Sequence, residues 1–131
     1  MLLWIFGPTK ENIIHVHAHD RAAGFLHLQR ARVRWFLSIS ADTLPDEIRK
    51  KGQQTFRSLT LEGHEIEFSD GFKDLHTKSY QQILEGKGFK LETALSSIEL
   101  VHAIRTKVPV GLKDDYHPFA AKPLTSHPFA L

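Results

Sequence analysis

The 131-residue sequence contains no cysteine. This absence excludes disulfide bonds, thiolate–zinc clusters and cysteine nucleophiles, and it fits a reducing, cytoplasmic setting. The apolar run at the amino terminus, Leu2–Phe6, is too short for a membrane span or a signal peptide. A strong excess of one charge is also missing, because 17 basic residues face 15 acidic ones. Because the positive and negative charges are nearly balanced, nucleic acid is not the expected partner.

Several signatures of catalysis and phosphate binding are absent as well. The sequence has no GxGxxG, no GxxxxGKS, no HExxH and no GxSxG. The two glycines of Glu85–Phe89 (EGKGF) follow a predicted helix, whereas a phosphate-binding loop precedes one. The residues alone therefore support neither a nucleotide-binding loop nor a serine nucleophile.

Three histidines on alternate residues stand out in Ile13–Asp20, IIHVHAHD. In an extended strand, His15, His17 and His19 would share one face, opposite the apolar Ile14, Val16 and Ala18. Neutral imidazoles are zinc ligands, but the outer two would lie about 13 Å apart, so one ion cannot bind all three in a straight strand. The segment is thus either a polar sheet face or, if bent, a metal site; we expect no metal.

The hydrophobic period changes along the chain from two to that of a helix. Strands are predicted at Asn12–His19, Phe25–Gln29 and 31–40, with a turn at Arg21–Gly24 and a hairpin over 56–68. Two helices follow, from Asp74 to Gly86 and from Leu91 to Lys107, the second with a stripe expected to be buried. Leu2–Phe6 before Gly7-Pro8 is typical of a final helical turn. The fold class predicted is α+β: a mostly antiparallel open sheet with two C-terminal helices on one face.

The other sheet face would carry Phe36 beside Arg32 and Arg34, a composition typical of an interface, although a solvated face is the alternative. These arginines can clamp an anion, pair with a carboxylate or be solvated. Lys50, Lys51 and Arg57 flank a glycine-containing loop and can meet a phosphate, although a run of charges usually faces solvent. His76 can act as an acid or base, or bond to loop backbone.

Four segments together resemble the C-terminal domain of the glucose-fructose oxidoreductase and inositol dehydrogenase family, in particular its UDP-N-acetylglucosaminuronate 3-dehydrogenase branch. They are WIFGPTKENIIHVH, ARVRWFLSIS with the following DTLP, DLHTKSYQQILEGKGF, and LKDDYHPF. The likeness runs from about Leu2 to Phe119. The resemblance implies that residues 1–119 are an N-terminally truncated oxidoreductase domain. Residues 120–131, which contain a second His-Pro-Phe, are then a tail.

The resemblance implies a substrate-wall and oligomerisation domain of an NAD-dependent sugar-nucleotide dehydrogenase of O-antigen or lipopolysaccharide biosynthesis. NAD would bind a Rossmann domain, and a lysine of an EKP motif and a histidine that precedes the domain's first helix would transfer protons. The sequence has no EKP, and the resemblance would place that histidine before Met1. The isolated chain is therefore expected to be inactive and to form a homo-oligomer through the open sheet face. Because a UDP-sugar is anionic, the implied substrate-binding residues are Arg34, Lys51, Arg57 and His76. The alternative is a free-standing module that binds a metal or a protein through His15, His17 and His19.

Overall fold

The computed structural model describes residues 1–71 and 73–123. It has the predicted α+β composition, with helices and antiparallel strand pairs. The chain divides into two compact units, one formed by Met1–Thr43 with the described part of Glu92–Leu131, and the other by Leu44–Leu91. The second His-Pro-Phe and most of the predicted tail lie outside the described residues.

The first unit begins with a short helix, α1 (Leu2–Phe6), as the apolar run before Gly7 predicts. Gly7 has a φ of 85°, and its N–H donates to the Leu3 carbonyl at 3.0 Å. An added Cβ at Gly7 would lie 2.5 Å from Oε1 of Gln29, so glycine is needed both for the backbone angle and for the space.

Three strands follow and form an antiparallel sheet in the order β1–β2–β3. They are β1 (Thr9–His17), β2 (Arg21–Leu28) and β3 (Arg32–Ser38). The predicted turn at Arg21–Gly24 is wrong, because these residues pair with β3 along their whole length. The chain reverses one step earlier, where the Ala18 N–H donates to the Arg21 carbonyl at 2.8 Å.

Gly24 lies in the middle of β2, where two neighbours leave no room for a side chain. A Cβ at this position would be 2.4 Å from the Ile13 carbonyl oxygen and 2.7 Å from Cζ2 of Trp35. Glycine is present here because the Trp35 ring lies directly against the backbone, not because a turn requires positive φ.

The pairing of β2 with β3 defines two sheet faces. We call front face the one that carries the cross-strand pairs His27–Arg32, Phe25–Arg34 and Ala23–Phe36, and back face the one that carries Leu26–Val33, Gly24–Trp35 and Ala22–Leu37. The predicted alternation of β3 is therefore confirmed. The apolar residues of this predicted strand are not all buried, since Leu37 in β3 is 67% exposed and Ile39, just after β3, is 89% exposed.

The core of this unit surrounds β2, whose residues are buried on both faces. The buried apolar residues of the sheet are Ile14, Ala23, Phe25, Leu26 and Leu28. The outer edge of β1 is covered by the chain that follows the last helix, because the Val110 N–H donates to the Ile14 carbonyl at 2.8 Å and the Lys107 ammonium donates to the Asn12 carbonyl. This part of the edge is thereby occupied, which hinders the addition of a further strand.

The last helix, α4 (Leu91–Thr106), forms where the sequence predicts it. Its stripe was expected to be buried, but the helix has no buried residue, and Leu95, Ile98 and Val101 are exposed. The three- and four-residue spacing identifies the apolar side of a helix, whereas burial requires a second surface.

The second unit contains three short elements and one longer helix. They are α2 (Asp46–Lys50), β4 (Ser58–Leu61), β5 (His64–Glu67) and α3 (Leu75–Leu84). The hairpin of β4 and β5 is confirmed and forms a two-stranded sheet of its own. Its turn has positive φ at Glu62 and Gly63, at 51° and 83°. Within the described part of the chain, none of these helices or α4 has the length and apolar character of a membrane span.

Candidate functional site

The front face carries three arginines, which differ in burial and in hydrogen-bond partners. Arg21 is buried at the start of β2, where Nε and Nη2 donate to the Asp20 carboxylate at 3.1 and 2.9 Å. Its Nη1 donates to the carbonyls of Lys122 and Pro123 at 3.1 and 3.2 Å. The hydrogen bonds from Arg21 hold the pKa of the Asp20 carboxyl below its ordinary value. All Arg21 donor groups are thus directed at protein acceptors, so this arginine has a structural role.

Arg32 is paired as well. Its guanidinium donates to the Asp115 carboxylate and lies over the Phe25 ring, with Cζ 5.3 Å from the ring centroid. Both charged side chains are largely exposed, so solvent screens this ion pair.

Arg34 is the third arginine of the front face, exposed and opposite Phe25 in the strand register. It has no hydrogen bond or ion pair with any residue in 1–71 or 73–123, unlike Arg21 and Arg32. Its planar guanidinium therefore keeps its donors available for a carboxylate or a phosphate. This is the property expected of Arg34 if it binds an anionic substrate.

Residues Asp115–Pro123 cross the front face, and we call them the C-terminal strap. The His117 imidazole stacks on the Phe36 ring at 5.7 Å between centroids and 25° between planes. The Phe119 ring meets Phe36 edge to face at 5.8 Å, and Tyr116 meets His15 at 6.4 Å. Part of the front face, expected to be open, is therefore covered by the chain itself.

A short 3₁₀ helix, Pro118–Ala121, shapes the strap. The His117 Nδ1 accepts a hydrogen bond from the Phe119 N–H at 3.1 Å, and Pro118 occupies the first helical position. Ala120 is buried, although the sequence interpretation assigned it to the tail. Partial burial and the charge of Arg34 both lower the pKa of His117.

The histidine segment does not follow the expected alternation. A bulge in β1 at His15 shifts the register, so that Ile14 pairs with Gly24 but Val16 pairs with Ala23. His15 is consequently buried, at 2% exposure, while His17 and His19 are exposed. The expectation that the three share one face is wrong, because the extra residue reverses the alternation. In the described ranges, no three His, Asp or Glu side chains are grouped closely enough to hold a metal ion.

The other predicted substrate-binding residues lie in the second unit, whereas Arg34 lies in the first. Lys51 is exposed just after α2, and His76 is exposed in the first turn of α3. Arg57 supports the hairpin, since its backbone N–H donates to Oγ of Ser69 at 2.9 Å and its Nη1 to the Ser69 carbonyl at 3.2 Å. The roles of all four in substrate binding remain predictions.

The sequence interpretation missed two features of the front face, the Asp20–Arg21 pair and the docking of His117. Adjacent opposite charges give no local signal of burial, so nothing in the sequence separates Asp20–Arg21 from a solvated pair. His-Pro-Phe did carry a signal, since a polar residue followed by proline is typical of a helical start.

Solved structures resemble this chain closely over most of its length. The WlbA (WbpB) dehydrogenase from Thermus thermophilus in complex with NAD and alpha-ketoglutarate matches with a TM-score of 0.85 and 40% identity, over 90% of this chain and 38% of that one. The same dehydrogenase in complex with NAD and UDP-GlcNAcA matches with a TM-score of 0.85 and 39% identity, over the same shares. No protein-family model matches the chain.

The chain thus spans well under half of the dehydrogenase structures that it matches. An identity of this level over nine tenths of the chain is evidence of homology beyond a shared fold. The resemblance derived from the sequence is confirmed: the chain is related to the UDP-sugar dehydrogenases of the glucose-fructose oxidoreductase and inositol dehydrogenase family.

Proposed function

We propose that this chain supplies the substrate wall and the oligomerisation surface of an NAD-dependent sugar-nucleotide dehydrogenase of polysaccharide biosynthesis. The observation that carries the proposal is the match, at 39% identity and a TM-score of 0.85, to a dehydrogenase structure that contains NAD and UDP-GlcNAcA. The substrate class is then a UDP-linked hexuronate, which carries a diphosphate and a carboxylate.

The residues of this chain do not fit a dinucleotide by themselves. Dinucleotide sites use parallel strands with a glycine-rich turn that opens a helix. All strand pairs within the described ranges are antiparallel, and the sequence contains no GxGxxG. The proposal therefore assigns NAD to residues outside these 131 and derives no hydride step from them.

Arg34 is the residue that we assign most directly to the anionic substrate. Its neighbours on the front face are already neutralised, Arg21 by Asp20 and Arg32 by Asp115, so a bound anion would meet its charge at Arg34. A guanidinium can donate two parallel hydrogen bonds to a carboxylate or a phosphate, which fixes orientation as well as charge. Lys51, Arg57 and His76 are proposed as further contacts with the UDP-sugar.

Self-association is the second part of the proposal. Leu37 and Ile39 project from the sheet with 67% and 89% of their surface exposed, and the stripe of α4 is exposed as well. Exposed apolar groups of this size favour burial against another chain. The proposed contact is a homo-oligomer through the open part of the sheet, to which the back face contributes the exposed Leu37 and the front face the part that the strap leaves uncovered.

The substrate proposal is tested by calorimetric titration of UDP-N-acetylglucosaminuronate into the protein made from the complete reading frame that contains these residues, with NAD present. We expect Arg34→Gln to weaken binding about tenfold or more, because a hydrogen bond to a charged group contributes roughly 1.5–3 kcal/mol. Arg34→Lys keeps the charge but loses the two-pronged geometry and should be intermediate. Arg105→Gln makes the same charge change on exposed α4 and should bind as the parent does.

Two outcomes of this titration would count against the proposal in different ways. If the unsubstituted protein does not bind the UDP-sugar, the proposed function is wrong. If it binds and Arg34→Gln binds equally well, only the role of Arg34 is wrong.

A further inference from the structure

We propose that the C-terminal strap is a pH-dependent cover of the front face, released when His117 is protonated. The proposal rests on how the strap is held and does not depend on the substrate or on the dehydrogenase reaction. The strap is fixed at three places: by Arg32 at Asp115, by Phe36 at His117 and Phe119, and by Arg21 at the carbonyls of Lys122 and Pro123.

The hydrogen bond at His117 requires a neutral imidazole. Its Nδ1 accepts from the Phe119 N–H at 3.1 Å, so in the docked strap the ring proton sits on Nε2. Protonation puts a second proton on Nδ1, and the acceptor becomes a donor facing another donor. The start of the 3₁₀ helix, which also contains the bond from the Ala120 N–H to the His117 carbonyl at 2.8 Å, then loses its capping contact.

The charges around His117 act mainly in the same direction. From β3, Arg34 repels an imidazolium, and partial burial removes part of its hydration. The Asp115 carboxylate, two residues earlier, is engaged by Arg32, and the Lys122 ammonium lies 4.2 Å from the centroid of the Phe119 ring. Asp20, just before β2, and Arg21, the first residue of β2, form a mutually neutralised pair, and Arg21 donates to the strap. The Phe36 ring, on which the imidazole stacks, would favour a cation on its face and so acts in the opposite direction.

The sign of the pH effect follows from linkage. The pKa of His117 is below the ordinary value of 6.5 in the docked strap. A detached imidazole loses both causes of the shift, burial and the charge of Arg34, so linkage is worked with the ordinary value for the undocked strap. Docking is therefore fully stabilised above the undocked pKa and weakens as the pH falls from that value towards the lower docked pKa. The strap should therefore be held more firmly over its part of the front face at neutral pH than in mildly acidic solution.

The test is amide hydrogen exchange of the full chain by NMR at about pH 7.5 and pH 5.5, corrected for the intrinsic rate at each pH. We expect protection of the Ala120 amide to fall at least about threefold at the lower pH, while amides of β2 keep theirs. The decisive variant is His117→Asn, whose side-chain oxygen can still accept from the Phe119 N–H but does not titrate, so its protection should be independent of pH. His102→Asn removes an exposed titrating group from α4 and should behave as the parent does.

A second variant tests the charge argument without altering the strap. Arg34→Gln removes the repulsion and should raise the pKa of His117, measured from its ring resonances, and reduce the loss of protection. The proposal is wrong if the parent keeps the same Ala120 protection at both pH values, if His117→Asn loses as much as the parent, or if β2 loses protection together with the strap.

Discussion

The close approach of β1 and Trp35 to Gly24 makes Gly24→Ala a stringent test of the described packing. An alanine in a strand interior is ordinarily more stable than glycine by roughly 0.5–1 kcal/mol, because glycine loses more backbone entropy on folding. Here the new Cβ would lie 2.4 Å from the Ile13 carbonyl oxygen and 2.7 Å from Cζ2 of Trp35. Overpacking of this kind costs about 1–3 kcal/mol, and the carbonyl cannot withdraw without weakening the pairing of Ile13 with Phe25. Because both contacts are this short, the cost should lie in the upper part of that range, and we expect a net loss of about 1–2 kcal/mol in the free energy of unfolding.

The measurement is urea unfolding followed by far-ultraviolet circular dichroism. Ala22→Val adds volume to the same strand at a half-buried position and should change stability by no more than about 0.5 kcal/mol. Trp35→Leu in combination with Gly24→Ala should recover about 1 kcal/mol of the loss, since the ring contact is relieved while the carbonyl contact stays. Equal or higher stability for Gly24→Ala alone would show that the strand does not approach Gly24 as described.

Two further substitutions test the front face. Asp20→Asn should flatten the acid side of the stability curve: the pKa of Asp20 is lowered in the folded chain, so its pairing with Arg21 stabilises above the unfolded value of 3.8 and is lost as the pH falls below it. Urea midpoints between about pH 2 and pH 6 measure this, and an unchanged slope below about pH 4 in the variant would contradict it. Phe36→Leu should weaken docking of the strap by about 1–2 kcal/mol, because two aromatic contacts of roughly 0.5–1.5 kcal/mol are lost. Hydrogen exchange of the Ala120 amide reports this loss, and Leu37→Ala on the back face should leave that exchange rate unchanged.

Local pattern was sufficient for most elements of the fold. The alternation in β3 predicted its strand and its two faces, and the glycine-containing turn predicted the hairpin of β4 and β5. The errors arose where distant residues decide the structure. Gly24 carries the local signal of a turn, but Trp35, eleven positions later, makes it a strand residue; the bulge at His15 likewise depends on the pairing with β2.

The candidate site likewise has features that the local sequence predicts and features that depend on distant residues. The strand position and the exposed side of Arg34 were predicted from the alternation in β3, whereas its role in substrate binding stays a prediction. Arg34 is the unpaired arginine of the front face because, among the described residues, Asp20 pairs with Arg21 and Asp115 pairs with Arg32. Strand periodicity cannot show these two ion pairs. The α4 stripe was identified correctly as apolar, yet its burial depends on a surface that the helix sequence does not describe.

The proposed function is tested most directly by NADH formation from UDP-N-acetylglucosaminuronate and NAD, with the protein made from the complete reading frame that contains these residues. The account predicts NADH formation that depends on the UDP-sugar and is reduced in Arg34→Gln. A folded protein that binds NAD and forms no NADH with this substrate would contradict it.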